Sequence, residues 1–295
     1  MVFFYHLFNM NFERELVGGS PGLFFTQKEE ALLSLPSYWK QDHDLVFPEK
    51  PKEGYRVEAW GPSPSVKAFA EKHNLIYEHP PMEVVKRLHS KETAHNLSPL
   101  PHSKILKNEE DLRAFQEEVK PPYVFKELLS FSGKGHRFQP THLPFPVLAE
   151  PWVTRSFDFS TQWFCERGRV TYLGACVLLS DERGRYKGSQ VARDEEELFG
   201  KQFTFLEEHI AFVRPFLEKE TEFFGNIGID AFVYENRLQP LCEINCRKTF
   251  GWVSLKILEK HPDKEQVTLT FAPSGRGIPL LSGKKIPFQV WVWVE

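Results

Sequence analysis

Apolar Ile227, Ile229, Phe232 and Val233, then Leu238, Leu241 and Ile244, flank the polar reversal Glu235-Asn236-Arg237. Two apolar runs of strand length around so short a break predict a β-hairpin. Upstream, strand-like runs at residues 2–8, 45–47 and 55–60 alternate with helical ones. Thr26 followed by Glu29 signals a helix through Leu35, and Pro64 after Ser63 starts another through His73. Pro80-Pro81 opens a third. Such alternation predicts a parallel sheet with helices packed on it. Residues 104–106 and 122–127 read as strands around a helix carrying Leu112, Phe115 and Val119 at helical spacing. A strand ends over 146–153, the next begins over 157–164, and 169–180 is a long apolar strand closed by a turn at 181–185. The stripe Phe205, Leu206, His209, Ile210, Val213 and Leu217 predicts a helix over 203–224, broken or bent at Pro215. Residues 250–261 form an amphipathic helix, and 266–295 alternate Pro- and Gly-rich turns with strands such as 290–294.

At 295 residues the chain is long enough for two or three packed modules. A net charge of −3 argues against coating nucleic acid by charge, so no nucleic-acid partner is expected. No apolar run reaches the length of a membrane span, and residues 1–8 lack the basic flank and small-residue cleavage site of a secretory signal. The expectation is a protein without a membrane. Cys165, Cys176, Cys242 and Cys246 show neither zinc-finger spacing nor paired two-residue spacing. Reduced thiols in the cytoplasm are the simplest account.

The hairpin carries the chemistry. In an antiparallel pair closed by a short turn, Asp230 and Glu243 become cross-strand neighbours. Their mutual repulsion calls for a positive partner, and a hard divalent cation liganded by carboxylate and amide oxygens, Asn245 among them, suits it, with substrate phosphates completing the shell. Arg247 and Lys248 follow as donors for phosphate or carboxylate oxygens. Taken alone, a surface hairpin with paired charges is an equal reading. Lys126 lies on the strand before a glycine turn, Ser132-Gly133-Lys134-Gly135-His136, whose backbone can approach an anion closely. Gly18, Gly19 and Gly22 have neither the dinucleotide-binding nor the P-loop spacing, and a plain loop is expected there.

Asp230, Glu243 thirteen residues on, Asn245 two further and Arg247 two further again resemble the closing signature of the ATP-grasp superfamily. The resemblance implies an α/β (α+β) chain with the ATP-grasp fold: an N-terminal Rossmann-like pre-ATP-grasp domain over 1–88, a lid subdomain with the glycine-rich loop over 89–150, and a C-terminal subdomain with the metal hairpin over 151–295. By the same resemblance, magnesium (or manganese) would be held by Asp230, Glu243 and Asn245, while Asn245, Arg247 and Lys248 would serve the transferred phosphate and the substrate. Lys91 and Lys126 would contact the ATP phosphates, with Ser132, Gly133, Lys134, Gly135 and His136 closing over them. Glu150, Trp152 and Val153 would meet the adenine, and Asp158 the ribose hydroxyls. Arg155, Arg193 and Arg247 are substrate-side candidates.

Pro151, Asp158 in place of the commoner Glu, and Glu127 where proline is frequent depart from the pattern. So does Gly228, which stands where one branch places a catalytic arginine. The implied activity is a ligase that activates a small-molecule carboxylate as an acylphosphate for attack by an amine or other nucleophile. A small-molecule kinase and a catalytically silent nucleotide-binding regulator are the alternatives. A homodimer through the first domain is compatible with the resemblance.

Overall fold

A computed structural model describes residues 2–19, 23, 30, 32–130, 135–181, 185–271, 278–281 and 290–294. Residues 26–29 and 31 of the helix expected from Thr26 through Leu35, and the second half of the Gly18–Gly22 loop, lie outside the described residues; Glu30 and Leu32 are helical. The N-terminal strands β1 (Phe4–Leu7), β2 (Leu45–Val46) and β3 (Arg56–Ala59) pair in parallel in the order β2-β1-β3. The short helix α1 (Phe12–Leu16) follows β1, and α2 (Pro64–Lys72) buries Val66 and Ala70 against Tyr5, Leu7 and Val57. Proline at the first turn and Ser63, whose hydroxyl accepts from the Val66 amide, set where α2 begins.

Helices α3 (Met82–His89) and α4 (Lys91–Leu97) lead into a second, antiparallel sheet. It comprises β4 (Lys104–Leu106), β5 (Tyr123–Glu127), β6 (His136–Arg137) and β7 (Val147–Pro151) in the order β4-β7-β5-β6. Helix α5 (Glu109–Glu118), capped by Asn108 on the amides of Glu110 and Asp111, lays Leu112 and Phe115 on Leu106, Phe125, Val147 and Ala149.

The third sheet has eight antiparallel strands in the order β12-β11-β8-β9-β10-β13-β15-β14. They are β8 (Arg155–Glu166), β9 (Arg169–Ser180), β10 (Tyr186–Ala192), β11 (Phe224–Tyr234), β12 (Arg237–Asn245), β13 (Gln266–Thr270), β14 (Ile278–Leu281) and β15 (Val290–Val294). Helix α6 (Glu195–Phe199) and α7 (Phe203–Lys219) follow β10, and α8 (Phe250–Lys260) follows β12. The segment after residue 266 thus extends this sheet past β10. Helix α7 runs through Pro215 without breaking. Pro215 and Ala211 face solvent, so water can satisfy the carbonyl that the proline leaves without a donor. The helix stops at Lys219, and β11 begins three residues before the expected strand.

β11 and β12 are joined by two residues, Glu235 and Asn236, both at positive φ (47° and 56°), as a tight hairpin with right-handed strand twist requires. Aromatic residues of the N-terminal unit, Phe8, Phe12, Trp39 and Trp60, share one core with Trp252, Val253 and Ile257 of α8. Trp39 meets Trp252 edge-on at 5.4 Å. Among the described residues, no helix is long and apolar enough to cross a membrane.

Beneath the large sheet runs a buried chain: Trp163 Nε1 donates to Thr161 Oγ1 (2.8 Å), Thr161 lies 2.7 Å from His209 Nε2, and His209 Nδ1 lies 2.8 Å from the Pro240 carbonyl. Burial pushes His209 down to about 4, with the Pro240 carbonyl opposing. The folded chain therefore refuses a proton that the unfolded chain takes below about pH 6.5. His209→Ala should cost about 2–4 kcal/mol by stranding two buried polar groups. In urea titrations, wild-type stability should fall more steeply than that of His209→Ala as pH drops from about 6.5 to about 4.

Candidate nucleotide and metal site

Asp230 and Glu243 are direct cross-strand partners, so both side chains leave the same face of the sheet. The register shifts between Asp230 and Phe232: three residues of β12, Pro240, Leu241 and Cys242, oppose Ala231 alone. This bulge lets Cys242 pack toward Phe232 and Tyr234 while Glu243 reaches Lys91. Asn245 Nδ2 donates to Asp230 Oδ2 at 3.1 Å, which leaves its carbonyl oxygen as an acceptor. The Lys91 ammonium donates to Glu243 Oε1 at 2.9 Å and to Ser130 Oγ at 3.1 Å. Lys91 is held in place by its position at the first turn of α4 and by its amide, which donates to the Leu128 carbonyl.

The two carboxylates divide their charge unequally. Burial and then the Glu243 charge push Asp230 up to about 6. Burial alone would also raise Glu243, but the Lys91 ammonium holds it at about 2. Asp230 is thus the carboxylate still short of a positive partner.

From the four-stranded sheet, buried Lys126 places Nζ 2.5 Å from Oε2 of half-buried Glu150. They are diagonal neighbours on β5 and β7. Burial alone would lower Lys126, yet Glu150 outweighs it and holds the ammonium above its ordinary value. His136 pairs with Lys126 across β5 and β6. His136 is exposed to solvent on one side; partial desolvation on the other, followed by the charges of Lys126 and Lys91, lowers its pKa, so the ring is neutral at pH 7. Ser132, Gly133 and Lys134 lie outside the described residues. Gly135 accepts from the Glu127 amide, and a Cβ there would sit 2.7 Å from that of Ser130.

Asp158 accepts from Arg155 at 3.0 Å, and the guanidinium stacks 4.0 Å above Phe232. Arg155 is therefore a wall of this cleft. Val153 packs with Leu100, Phe232 and Tyr234 as an apolar surface beside it. The Trp152 amide is taken by the Pro122 carbonyl, and its ring meets Phe138 edge-on at 4.9 Å. Trp152 thus offers no free amide to a base.

Two basic residues expected at the substrate are placed elsewhere. Lys248 is 2 % exposed, its ammonium 2.9 Å from both Glu58 Oε1 and the Ala59 carbonyl and over the Trp252 ring. Burial lowers its pKa against the pull of Glu58. It is a strut between the N-terminal sheet and the hairpin, not a phosphate donor. Arg193 donates to the carbonyls of Leu258, His261 and Lys264, closing the C-terminal end of α8. Arg247 does lie beside the site, held by Glu13 of α1: Nε and Nη2 both reach Glu13 Oε1, at 2.7 and 2.6 Å, while Nη1 donates to the Lys248 carbonyl. His89 Nε2 stands 3.9 Å from the same Glu13 oxygen.

Sequence reasoning passed over Glu13, His89, Ser160, Gln162 and Thr249. Thr249 Oγ1 donates to Gln162 Oε1 (2.8 Å), Gln162 Nε2 to Ser160 Oγ (3.0 Å), and Ser160 bonds Asp230. A signal existed: Asp158, Ser160 and Gln162 are polar on every second residue of a strand whose other face is Phe157, Phe159, Thr161 and Trp163. Gly228 lies in this packing, where a Cβ would come within 2.5 Å of Thr249 Cγ2, so no arginine fits there.

Two carboxylates and an amide oxygen suit magnesium, whose hard shell takes oxygen and is commonly completed by phosphate. Among the described residues, no group of three or more His, Cys, Asp or Glu side chains could hold a metal alone. The set fits a cation shared with a polyphosphate.

No family model and no curated protein matches the sequence. Solved structures do match. One from Archaeoglobus fulgidus, assigned to the ATP-grasp superfamily, aligns over 100% of both chains at 12% identity with a TM-score of 0.60. N5-carboxyaminoimidazole synthase from Aspergillus clavatus, in complex with ADP and 5-aminoimidazole ribonucleotide, aligns over 100% of this chain and 94% of that one, at 12% identity and TM-score 0.58. Biotin carboxylase from Campylobacter jejuni, in an ATP complex, aligns over 81% and 71%, at 13% identity and TM-score 0.57.

Because Asp230 must be unprotonated to take a cation, Mg2+ affinity in the presence of ADP should fall as pH drops below about 6. Below that pH, calorimetry in buffers of different ionisation enthalpy should show proton release on binding. Asp230→Asn should remove both the release and most of the affinity.

Proposed function

From a chain with the ATP-grasp fold, we propose an ATP- and magnesium-dependent ligase that activates a small-molecule carboxylate as an acylphosphate for attack by an amine or other nucleophile. In this reading residues 89–150 act as the lid and 151–295 as the metal-bearing half. The observation that carries it is the register pairing of Asp230 with Glu243, with Lys91 bonded to Glu243 and Lys126, on a separate sheet, within electrostatic reach of Cys242 on the same hairpin.

Phosphoryl transfer requires in-line positioning and neutralised charge more than a covalent protein nucleophile. The residues divide that work. Lys91 and Lys126 rest on Glu243 and Glu150 and can turn their remaining N–H groups to phosphate oxygens. His136, uncharged, can donate to or accept from the nucleotide without adding a proton at pH 7. Half-buried Val153, backed by buried Phe232, supplies apolar surface of the kind a purine needs, and Asp158 an acceptor for hydroxyls. Asp230, Glu243 and Asn245 would hold the magnesium, which supplies charge neutralisation to the phosphates when bound. Arg247 would orient the acid, whose carboxylate oxygen attacks the γ phosphorus and displaces ADP; the nucleophile then displaces phosphate from the acyl carbon.

ADP release should depend on an added carboxylic acid, and hydroxylamine should trap a hydroxamate. ADP without hydroxamate would indicate phosphorylation of a hydroxyl, and neither product a binding protein. Glu243→Gln and Lys126→Met should each lower kcat/KM by about 100-fold or more, equivalent to about 3 kcal/mol of transition-state stabilisation.

A further inference from the structure

Beyond Arg247 a run of aromatic rings continues away from the hairpin. The Arg247 guanidinium lies 5.6 Å over Trp60, and Trp60 is 5.5 Å from Phe250. Phe250 meets Phe271 edge-on at 4.8 Å and lies nearly parallel to Tyr186, 6.1 Å away with an interplanar angle of 22°. Tyr186 and Phe271 are 5.8 Å apart. Trp60 is buried and Phe250 and Phe271 half-buried, but Tyr186 is 37 % exposed on a strand with neighbours on both sides. Its hydroxyl turns inward to Ser189, within electrostatic reach of Asp230 and Arg247.

Tyr186 is aimed by backbone. β10 shifts register between Tyr186 and Gly188, and a Cβ at Gly188 would lie 2.2 Å from the Leu269 carbonyl oxygen, so this strand cannot relax toward β13 with any larger residue. At the other end, three of the five guanidinium N–H groups of Arg247 are taken by Glu13 and Lys248, and two remain for a carboxylate. A cation with spare donors at one end of a partly exposed aromatic surface complements an acid whose body is aromatic.

We propose that the acid substrate is an aromatic carboxylic acid, its carboxylate between Arg247 and the Asp230 hairpin and its ring against Tyr186 and Phe250. This rests on the ligase reading for the carboxylate and goes beyond it in naming the acid. Small polar acids would leave the wall bare.

Ligand-observed NMR on the full chain with Mg·ADP, using 3-phenylpropionate, propionate, succinate and 3-phenylpropanol, tests it. 3-Phenylpropionate should bind about tenfold or more tighter than propionate and than the alcohol, and should be the best of the acids in stimulating ADP release from Mg·ATP. Tyr186→Ala should remove most of that advantage while Tyr186→Phe, which keeps the ring, retains it; Mg·ADP affinity reports that both variants are folded. Equal binding of propionate and 3-phenylpropionate, a preference for succinate, or an unchanged advantage in Tyr186→Ala overturns the proposal. Failure to bind Mg·ATP would instead overturn the ligase reading, and the acid preference is read independently by repeating the NMR without nucleotide.

Discussion

Two carboxylates held face to face by backbone hydrogen bonds cannot move apart to relieve their repulsion, and much of this molecule is arranged around that constraint. Glu243 is stabilised as an anion by Lys91, and Asp230 by hydrogen bonds from Asn245 and Ser160 that fall short of a full counter-charge. The same economy of pairing recurs around the cleft. Lys126 rests on Glu150, Arg155 on Asp158 and Arg247 on Glu13. Each cation is pre-placed by an acid rather than left to solvent, so less side-chain freedom remains to be lost when an anion arrives.

The large sheet separates scaffold from chemistry by its two faces. On the α7 side, Thr161 and His209 tie the sheet to the Pro240 carbonyl within the β12 bulge. On the α8 side, Ser160, Gln162 and Thr249 connect the start of α8 to Asp230. Gly251 allows that approach, since a Cβ there would lie 2.5 Å from Cys176 Sγ. The N-terminal unit meets this same side through Trp39, Trp60 and Lys248.

Local patterns were readable in proportion to how local their causes are. The hairpin follows from strand period and turn chemistry, so the sequence displays it directly; its turn is two residues where three were expected, and the direct pairing of Asp230 with Glu243 needs the β12 bulge as well. The helix start at Pro64 was equally visible, because capping acts over three or four residues. The acid that anchors Arg247 and the placement of Lys248 were not. Their partners Glu13 and Glu58 are 234 and 190 residues away, and nothing near a basic residue reveals which distant acid will claim it. Whether Pro215 breaks or bends its helix was open for a related reason: the cost of a proline in a helix depends on whether the stranded carbonyl meets water, which is a property of the folded surface. The bulge in β12 left no trace beyond Pro240 itself.

That bulge has an implication for how this stretch can vary. Between Gln239 and Glu243 the chain spends three residues opposite a single one, an even surplus that returns Glu243 to the face it shares with Asp230. Side chains here can be exchanged, but losing or gaining one residue reverses the parity and turns the acid toward α7. Among descendants of this chain, length should be far more tightly kept across these five positions than identity.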